Sequence, residues 1–501
     1  MQLPKLMLIA LLAATLQACS DGSGGSAESL ADNTAAPSPI DKVIKVGNGD
    51  DHKRTLVVVQ EPPFLMHVDI GQDGGSHGDV LVYDAKFTST KDLPGRLSGM
   101  ITTIDIPEPG EVIHDRIAQI VFDFSGVGTL VVGGKATYPF DGSGTDEMII
   151  NSTQIRPVVG GTGDFLGALG QVSTTRNKDL SYKHEFQLVG ITQWTEPSSA
   201  STEQTTLTLN QELPNILHVD LGQDGRSRGD LLAVDTQFTS TQGLSGKLSA
   251  IITTIDIPDQ GEGGFQDRFF KGAFDFGEAN TLVVFGKSDY PADSSSTDEL
   301  AFNMPLVKPV VGGTGKFMGA RGQVTTTRKK DGTYKQEFQL VGIKNASQPI
   351  PGQQKTLTLR QALPNLVHVD VGLEGGSHGD ILAFDADVTS TEGLSGKLSG
   401  MITTVYIPGP DDLAFKDRIV HMVFDLGSAN SLVVAGKSLY PFDGSATSVF
   451  EKNVPQVRAI IGGTNEYFAA RGQLVTTRNG DGTYTHELQF ADLAYGESID
   501  W

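Results

Sequence analysis

Beyond its first fifty residues the chain is a succession of short apolar runs. Many alternate apolar and polar positions, and each is closed by Gly, Pro, Asp or Asn. In the first third these runs are Thr55 to Val59, Gly78 to Ser89, Gly99 to Ile106, Ile117 to Phe124, Thr129 to Val132, Gly170 to Thr175 and Tyr182 to Ile191. They are rich in β-branched and aromatic residues, and a period of two is that of a strand with one face buried. No stretch shows a helical period with caps. Seven or eight strands in roughly 140 residues predict a sandwich or a closed antiparallel barrel, and closure removes edges open to pairing.

The pattern occurs three times. His67-Val68-Asp69 returns at His218-Val219-Asp220 and His368-Val369-Asp370. The turn Gly160-Gly161-Thr162 returns at Gly312-Gly313-Thr314 and Gly462-Gly463-Thr464. Asp115-Arg116 and Tyr138-Pro139 recur at the same step. A step of about 150 residues is far longer than a solenoid repeat, so each copy is expected to be a domain with its own core, not a layer of a shared one. The expected units are 53–192, 204–344 and 355–495, joined by Ser-, Thr-, Gln- and Pro-rich linkers.

The N-terminus reads differently. Lys5 precedes an apolar run from Leu6 to Leu16, too short to span a bilayer, and Leu16-Gln17-Ala18-Cys19 follows. This segment resembles the lipobox of bacterial lipoproteins, which implies a signal peptide over 1–19 and an acylated Cys19 anchoring the chain to a lipid bilayer. Ser20 after the cysteine implies the outer membrane. Cys19 is the only cysteine, which excludes disulfides within the chain. Residues 20–52 are Gly-, Ser-, Ala-, Asp- and Pro-rich and read as a flexible tether. A net charge of −22 argues against binding nucleic acid.

Within the repeats, Val310-Val311-Gly312-Gly313-Thr314-Gly315-Lys316-Phe317-Met318-Gly319-Ala320-Arg321-Gly322-Gln323 resembles the VVGGTGxFxxARG segment of dirigent proteins and the matching segment of allene oxide cyclases. Gly78-Asp79, Gly229-Asp230 and Gly379-Asp380 are similar to the GD element of that superfamily, and Tyr334 to Leu340 to its last strand. The resemblance implies three tandem eight-stranded antiparallel calycin-like β-barrels, each around an apolar cavity. It also implies that an acidic, Tyr or Arg side chain in that cavity guides a reactive intermediate. The dirigent-type arginine falls on Arg321 and Arg471, but on Leu169 in the first copy. The cyclases' acidic residue falls near Glu61 and Glu212, but on Ala362 in the third. Phe165, Phe317 and Tyr467 are candidate plugs or pocket residues, and Gly170, Gly322 and Gly472 mark close backbone approach or a bulge.

The polar residues common to all copies form another set: the three HxD triplets, Lys135, Arg176, Glu185 and their equivalents. Cross-strand ion pairs fixing register are the simplest role for these charges. Asp69, Asp73 and Asp79 lie in a Gly-rich loop that invites a Ca²⁺ reading, although no Glu closes it and Arg226 and Arg228 enter the second copy. An Asp/Gly hairpin or Ω-loop is the alternative. Two groups in an HxD fall short of a zinc site. No catalytic triad, P-loop or dinucleotide fingerprint is legible, so no cofactor is expected. Because the copies differ at the positions of the family's chemistry, the leading expectation is a non-catalytic anchored protein binding a small hydrophobic ligand or a partner. A cyclase or dirigent-type guide and a structural or adhesion module are the alternatives.

Overall fold

The computed structural model describes residues 54–70, 75–105, 113–139, 147–190, 204–221, 227–256, 265–291, 299–341, 356–371, 377–391, 393–407, 415–441 and 447–492. The leader with Cys19, the tether and Asp73 lie outside the described residues.

In the first repeat the strands are β1 (Arg54–Gln60), β2 (Phe64–Val68), β3 (Val80–Ser89), β4 (Pro94–Asp105), β5 (Ile113–Phe124), β6 (Gly128–Pro139), β7 (Thr153–Gly161), β8 (Leu169–Arg176) and β9 (Tyr182–Val189). Neighbours in sequence pair antiparallel, and β1 returns to pair with both β9 and β3. β1 and β2 share one place in the barrel. β3 meets β1 at Gln60↔Phe87 and β2 from Phe64↔Asp84 to Val68↔Val80. Pro62 and Pro63 interrupt that stave, since proline has no N–H to give the ladder. Nine segments therefore build an eight-stranded closed barrel. The other two repeats form the same sheet, from Gln204–Gln211 to Tyr334–Val341 and from Thr356–Gln361 to Tyr484–Asp492.

β7 was not among the runs read as strands, and it carries Pro157, which a strand interior seldom holds. It is tolerated because β6 pairs with β7 only at Leu130, Val131 and Val132, with a register shift, leaving Pro157 paired to Gln171 of β8 alone. The Gly160-Gly161-Thr162-Gly163 segment ends β7 and enters a single 3-10 turn, Gly163–Phe165. Gly163 has φ +60°, and a Cβ there would meet Val127 O at 2.2 Å. Gly170 makes the close approach expected of it: a Cβ would lie 1.9 Å from Gln187 O.

Each barrel has its own interior core, around Phe122 and Phe186, Phe274 and Phe338, or Phe424 and Leu488. A fourth core lies outside all three. Val80, Val121, Leu231, Val283, Ile381 and Val423 belong to it, drawn from the outer faces of all three barrels. Each copy therefore has a core of its own, as expected, and also contributes to a shared one, which was not. Runs such as Val80-Leu81-Val82-Tyr83 are buried on both faces, Leu81 and Tyr83 inward and Val80 and Val82 toward the other barrels.

The contacts close a cycle. A Cβ on Gly78 would press on Val369, one on Gly229 on Val68, and one on Gly379 on Val219. Gly163 N donates to Gln323 Oε1 (3.2 Å), Gly315 N to Gln473 Oε1 (3.0 Å), and Asn465 N to Gln171 Oε1 (2.9 Å). Equivalent residues thus join first to second, second to third and third to first barrel, around a common axis.

Candidate functional site: the barrel interiors

Antiparallel order brings the ends of β1, β6 and β8 and the starts of β7 and β9 to one end of the barrel. There each interior keeps a cavity, of about 40 Å³ in the first barrel, 50 Å³ in the second and 60 Å³ in the third. The walls are mostly apolar, with one built polar chain. In the first barrel the His184 Nε2 donates to Gln60 Oε1 (2.8 Å), so Nδ1 accepts from Thr174 Oγ1 (3.0 Å). In the third, His486 does the same between Gln361 (2.7 Å) and Thr476 (3.0 Å). The second replaces the imidazole by an amide: Thr326 Oγ1 donates to Gln336 Oε1 (2.6 Å), and Gln336 Nε2 donates to Gln211 Oε1 (2.7 Å). Burial first, then the nearby Arg156 or Arg458, pushes His184 and His486 down to about 3, so both rings are neutral.

A buried basic side chain stands beside each chain. Arg156, Lys308 and Arg458 hold equivalent places on the seventh strand position and are at most 3% exposed. Lys308 Nζ donates to Thr326 Oγ1 (3.4 Å) and lies 5.0 Å from the Phe270 ring centre. Arg458 donates to Thr476 Oγ1 (3.1 Å) and Ser438 Oγ (2.7 Å). Burial pushes Lys308 down to about 7. The acids lining the first two cavities, Glu147 and Glu299, are taken by other groups. Glu147 holds Arg176 and Tyr182 OH (3.0 Å), and Glu299 holds Arg328 and Tyr334 OH (3.0 Å). The third barrel has Val449 in that place, lining the largest of the three cavities. Apolar side chains stand exposed beside these ends: Ile149, Leu213, Phe302 and Leu363.

The candidates read from the sequence fall elsewhere. Glu61 and Glu212 are exposed, one residue past the buried Gln60 and Gln211, and a step of one residue along a strand changes face. Arg321 Nη1 donates to Gly167 O of the first barrel (2.9 Å), placing it in the joint between barrels. The Arg471 side chain reaches Gly319 of the second barrel in the equivalent joint. At the remaining joint Leu169 packs with Val189 and Ala469 instead. Phe165 and Tyr467 are buried and Phe317 partly so, each in its barrel's core at the end opposite the cavity. They line none of the three cavities.

Asp79 closes its loop. Its carboxylate accepts from Ile70 N (2.9 Å), Ser76 N (2.5 Å) and Ser76 Oγ (2.8 Å), and His67 Nε2 lies 3.2 Å away. Asp230 and Asp380 are held alike. Asp69 is exposed, and no group of three His, Cys, Asp or Glu forms a metal cage among the described residues. The register pairs form between neighbouring strands as Lys135–Asp115 (2.8 Å), Lys287–Asp267 (2.9 Å) and Lys437–Asp417 (3.3 Å). Lys135 and Lys437 also reach Asp425 (3.2 Å) and Asp275 (3.1 Å) of other barrels. Arg116, Arg268 and Arg418 point inward and lie 4.7–5.2 Å from the ring centres of Tyr138, Tyr290 and Tyr440.

The residues missed by the sequence reading are the interior cations and the Gln–His–Thr chain. A basic residue at a constant step, Arg156-Pro157, Lys308-Pro309 and Arg458-Ala459, was the available signal.

No family model matches the sequence, and no curated protein does. Among solved structures, a pyocyanin demethylase aligns over 27% of this chain and 99% of its own, at 14% identity and a TM-score of 0.21. The described residues form three joined eight-stranded barrels, each with a small, mostly apolar cavity lined by a buried basic side chain.

Proposed function

We propose that the protein is an envelope lipoprotein, anchored through Cys19, whose barrels bind small, slender apolar molecules carrying one acidic group, without chemistry on them. The observation that carries this reading is the buried cation at the cavity, Arg156, Lys308 or Arg458. A buried charge is costly unless paired, and an incoming carboxylate or enolate would pair it. The apolar walls and the exposed apolar side chains beside the cavity suit the rest of such a molecule. The likeness of the sequence motifs to allene oxide cyclases and dirigent proteins supports an apolar-ligand barrel. The displacement of Arg321, Arg471, Glu61 and Glu212 from the cavities argues against carrying the family's chemistry over.

The third barrel is the best receptor, with the largest of the three cavities and no acid among the described residues that line it. Calorimetric titration of the full chain with hexanoate and with hexanol tests this. Hexanoate is expected to bind, and Arg458→Met to weaken it about tenfold or more, the worth of one charge-assisted hydrogen bond. Equal binding of the acid and the alcohol, or none of either, overturns the reading. The anchor is tested separately: Cys19→Ser is expected to abolish labelling by palmitate and to release the protein from the membrane fraction.

A further inference from the structure

The fourth core, where the barrels meet, carries polar side chains among its apolar ones. Equivalent positions on β5 and on the strands Phe265–Asp275 and Phe415–Asp425 carry Gln119, Lys271 and His421. Each has fourth-core residues two positions to either side, such as Phe269 and Ala273 around Lys271. Gln119 and His421 are 1% and 2% exposed, and Lys271 is half-buried. Gln119 Nε2 and His421 Nδ1 lie 2.5 Å apart, and Gln119 Oε1 has no partner. Gln119 and Lys271 line a cavity of about 30 Å³, together with Thr102, Thr253 and Thr403, one from each barrel. No hydrogen bond or ion pair to the Lys271 ammonium is found among the described residues. Burial pushes that amine down to about 7, and its charge adds to the burial that lowers His421.

We propose that this axial cavity binds one small monovalent anion of halide size, with the Lys271 ammonium as its counter-charge. Size and charge select the occupant. A volume of this order takes two waters or one halide, and excludes larger acids. Water would leave the ammonium without a counter-charge, whereas an anion cancels it where Coulomb attraction is little screened. The Gln119 amide can turn its NH₂ toward the ion while Oε1 accepts from His421 Nδ1–H, so both groups gain a partner. Three threonine hydroxyls line the remainder. The site needs all three barrels, and its charge comes from one of them.

The test follows melting of the full chain as bromide replaces gluconate at constant ionic strength, with a bromide-soaked crystal examined for anomalous scattering. Wild type is expected to gain about 2–4 °C, saturably, as expected for an ion that binds only the folded state. An anomalous peak is expected beside Lys271 Nζ. Lys271→Met is expected to lose both responses and to melt higher than wild type in bromide-free buffer. Lys271→Gln, which copies the residue of the first barrel, is expected to lose the bromide response as well. Absence of a peak at the axis overturns the proposal, whether or not the variants fold. So does a bromide response equal in wild type and Lys271→Met.

Discussion

The interior of a barrel and the axis between barrels are both buried, yet the three copies treat them differently. Inside, Gln60, Gln211 and Gln361 are identical, as are Thr174, Thr326 and Thr476, and the seventh strand position is always a cation. On the axis the equivalent residues are Gln119, Lys271 and His421. An interior residue meets only its own barrel, so repeating it three times changes nothing. An axial residue meets its own counterparts, and three lysines there would repel at close range in a poorly screened medium. Three identical chains could not avoid that symmetry. One continuous chain can, and the joints show the same freedom, with Leu169 where the other two have Arg321 and Arg471.

The largest effect is expected where the barrels share a core. Val219 is 6% exposed and packs on Gly379 of the third barrel. Val219→Asp buries an unpaired carboxylate among apolar side chains, at a cost of about 3–5 kcal/mol. Calorimetry is expected to show melting lowered for the whole molecule. Phe122→Ala removes a ring packed on Phe87, His184 and Phe186 inside the first barrel, also about 3–5 kcal/mol. A Val219→Asp chain that melts like wild type would mean that the fourth core contributes nothing.

A smaller effect comes from the axial amine, and its sign is set by the direction of the shift. Lys271 is held near 7 when folded, against 10.5 when free, so the unfolded chain binds more protons between those values. Stability therefore rises as pH goes from about 7 to 10.5, and Lys308 adds a second contribution of the same sign. Lys271→Met is expected to gain on the order of 3 kcal/mol at pH 7 in halide-free buffer and to flatten part of that rise. Urea denaturation at pH 7 and pH 10 reads both. A variant that keeps the wild-type slope would place the ammonium in contact with water.

The interior histidines give an effect at lower pH. His184 and His486 are held near 3 when folded and titrate near 6.5 when free, so stability falls as pH drops through that window. His184→Gln with His486→Gln copies the second barrel, whose Gln336 makes the same two hydrogen bonds. The pair is expected to cost little at pH 7 and to recover about 1–2 kcal/mol per site at pH 5. Unchanged acid sensitivity would assign it to other groups, His421 among them.

Period-two alternation made the strands, the barrel and the threefold repeat legible, because one face of every strand is buried in its own barrel. The fourth core was less legible. A run such as Leu231 to Val234 shows that both faces are buried, but nothing local says what covers the outer one. The site was missed for two reasons. The segment of β7 was not among the runs read as strands, so Arg156 went unnoticed, and the resemblance pointed near Glu61, one position past the inward-facing Gln60. The family-like motifs misled in an instructive way. A Cβ on Gly78 would press on Val369, and one on Gly160 would sit tightly against Val311 and Pro309, so these glycines lie at contacts between barrels.

The smallest expected effect separates a joint residue from a reacting one. Arg321→Leu writes into the second barrel what Leu169 already provides in the first. It removes one hydrogen bond to Gly167 O and leaves an apolar contact in its place. Replacing both partners' polar contact by packing is close to neutral, but here the carbonyl of Gly167 stays behind. Gly167 is buried, so a loss of about 1 kcal/mol is expected for the acceptor left without its donor. Hexanoate affinity is expected to stay at the wild-type value, because no atom of Arg321 lines a cavity. A tenfold loss of that affinity with unchanged melting would return Arg321 to the binding machinery, and would place the ligand between barrels instead of inside them.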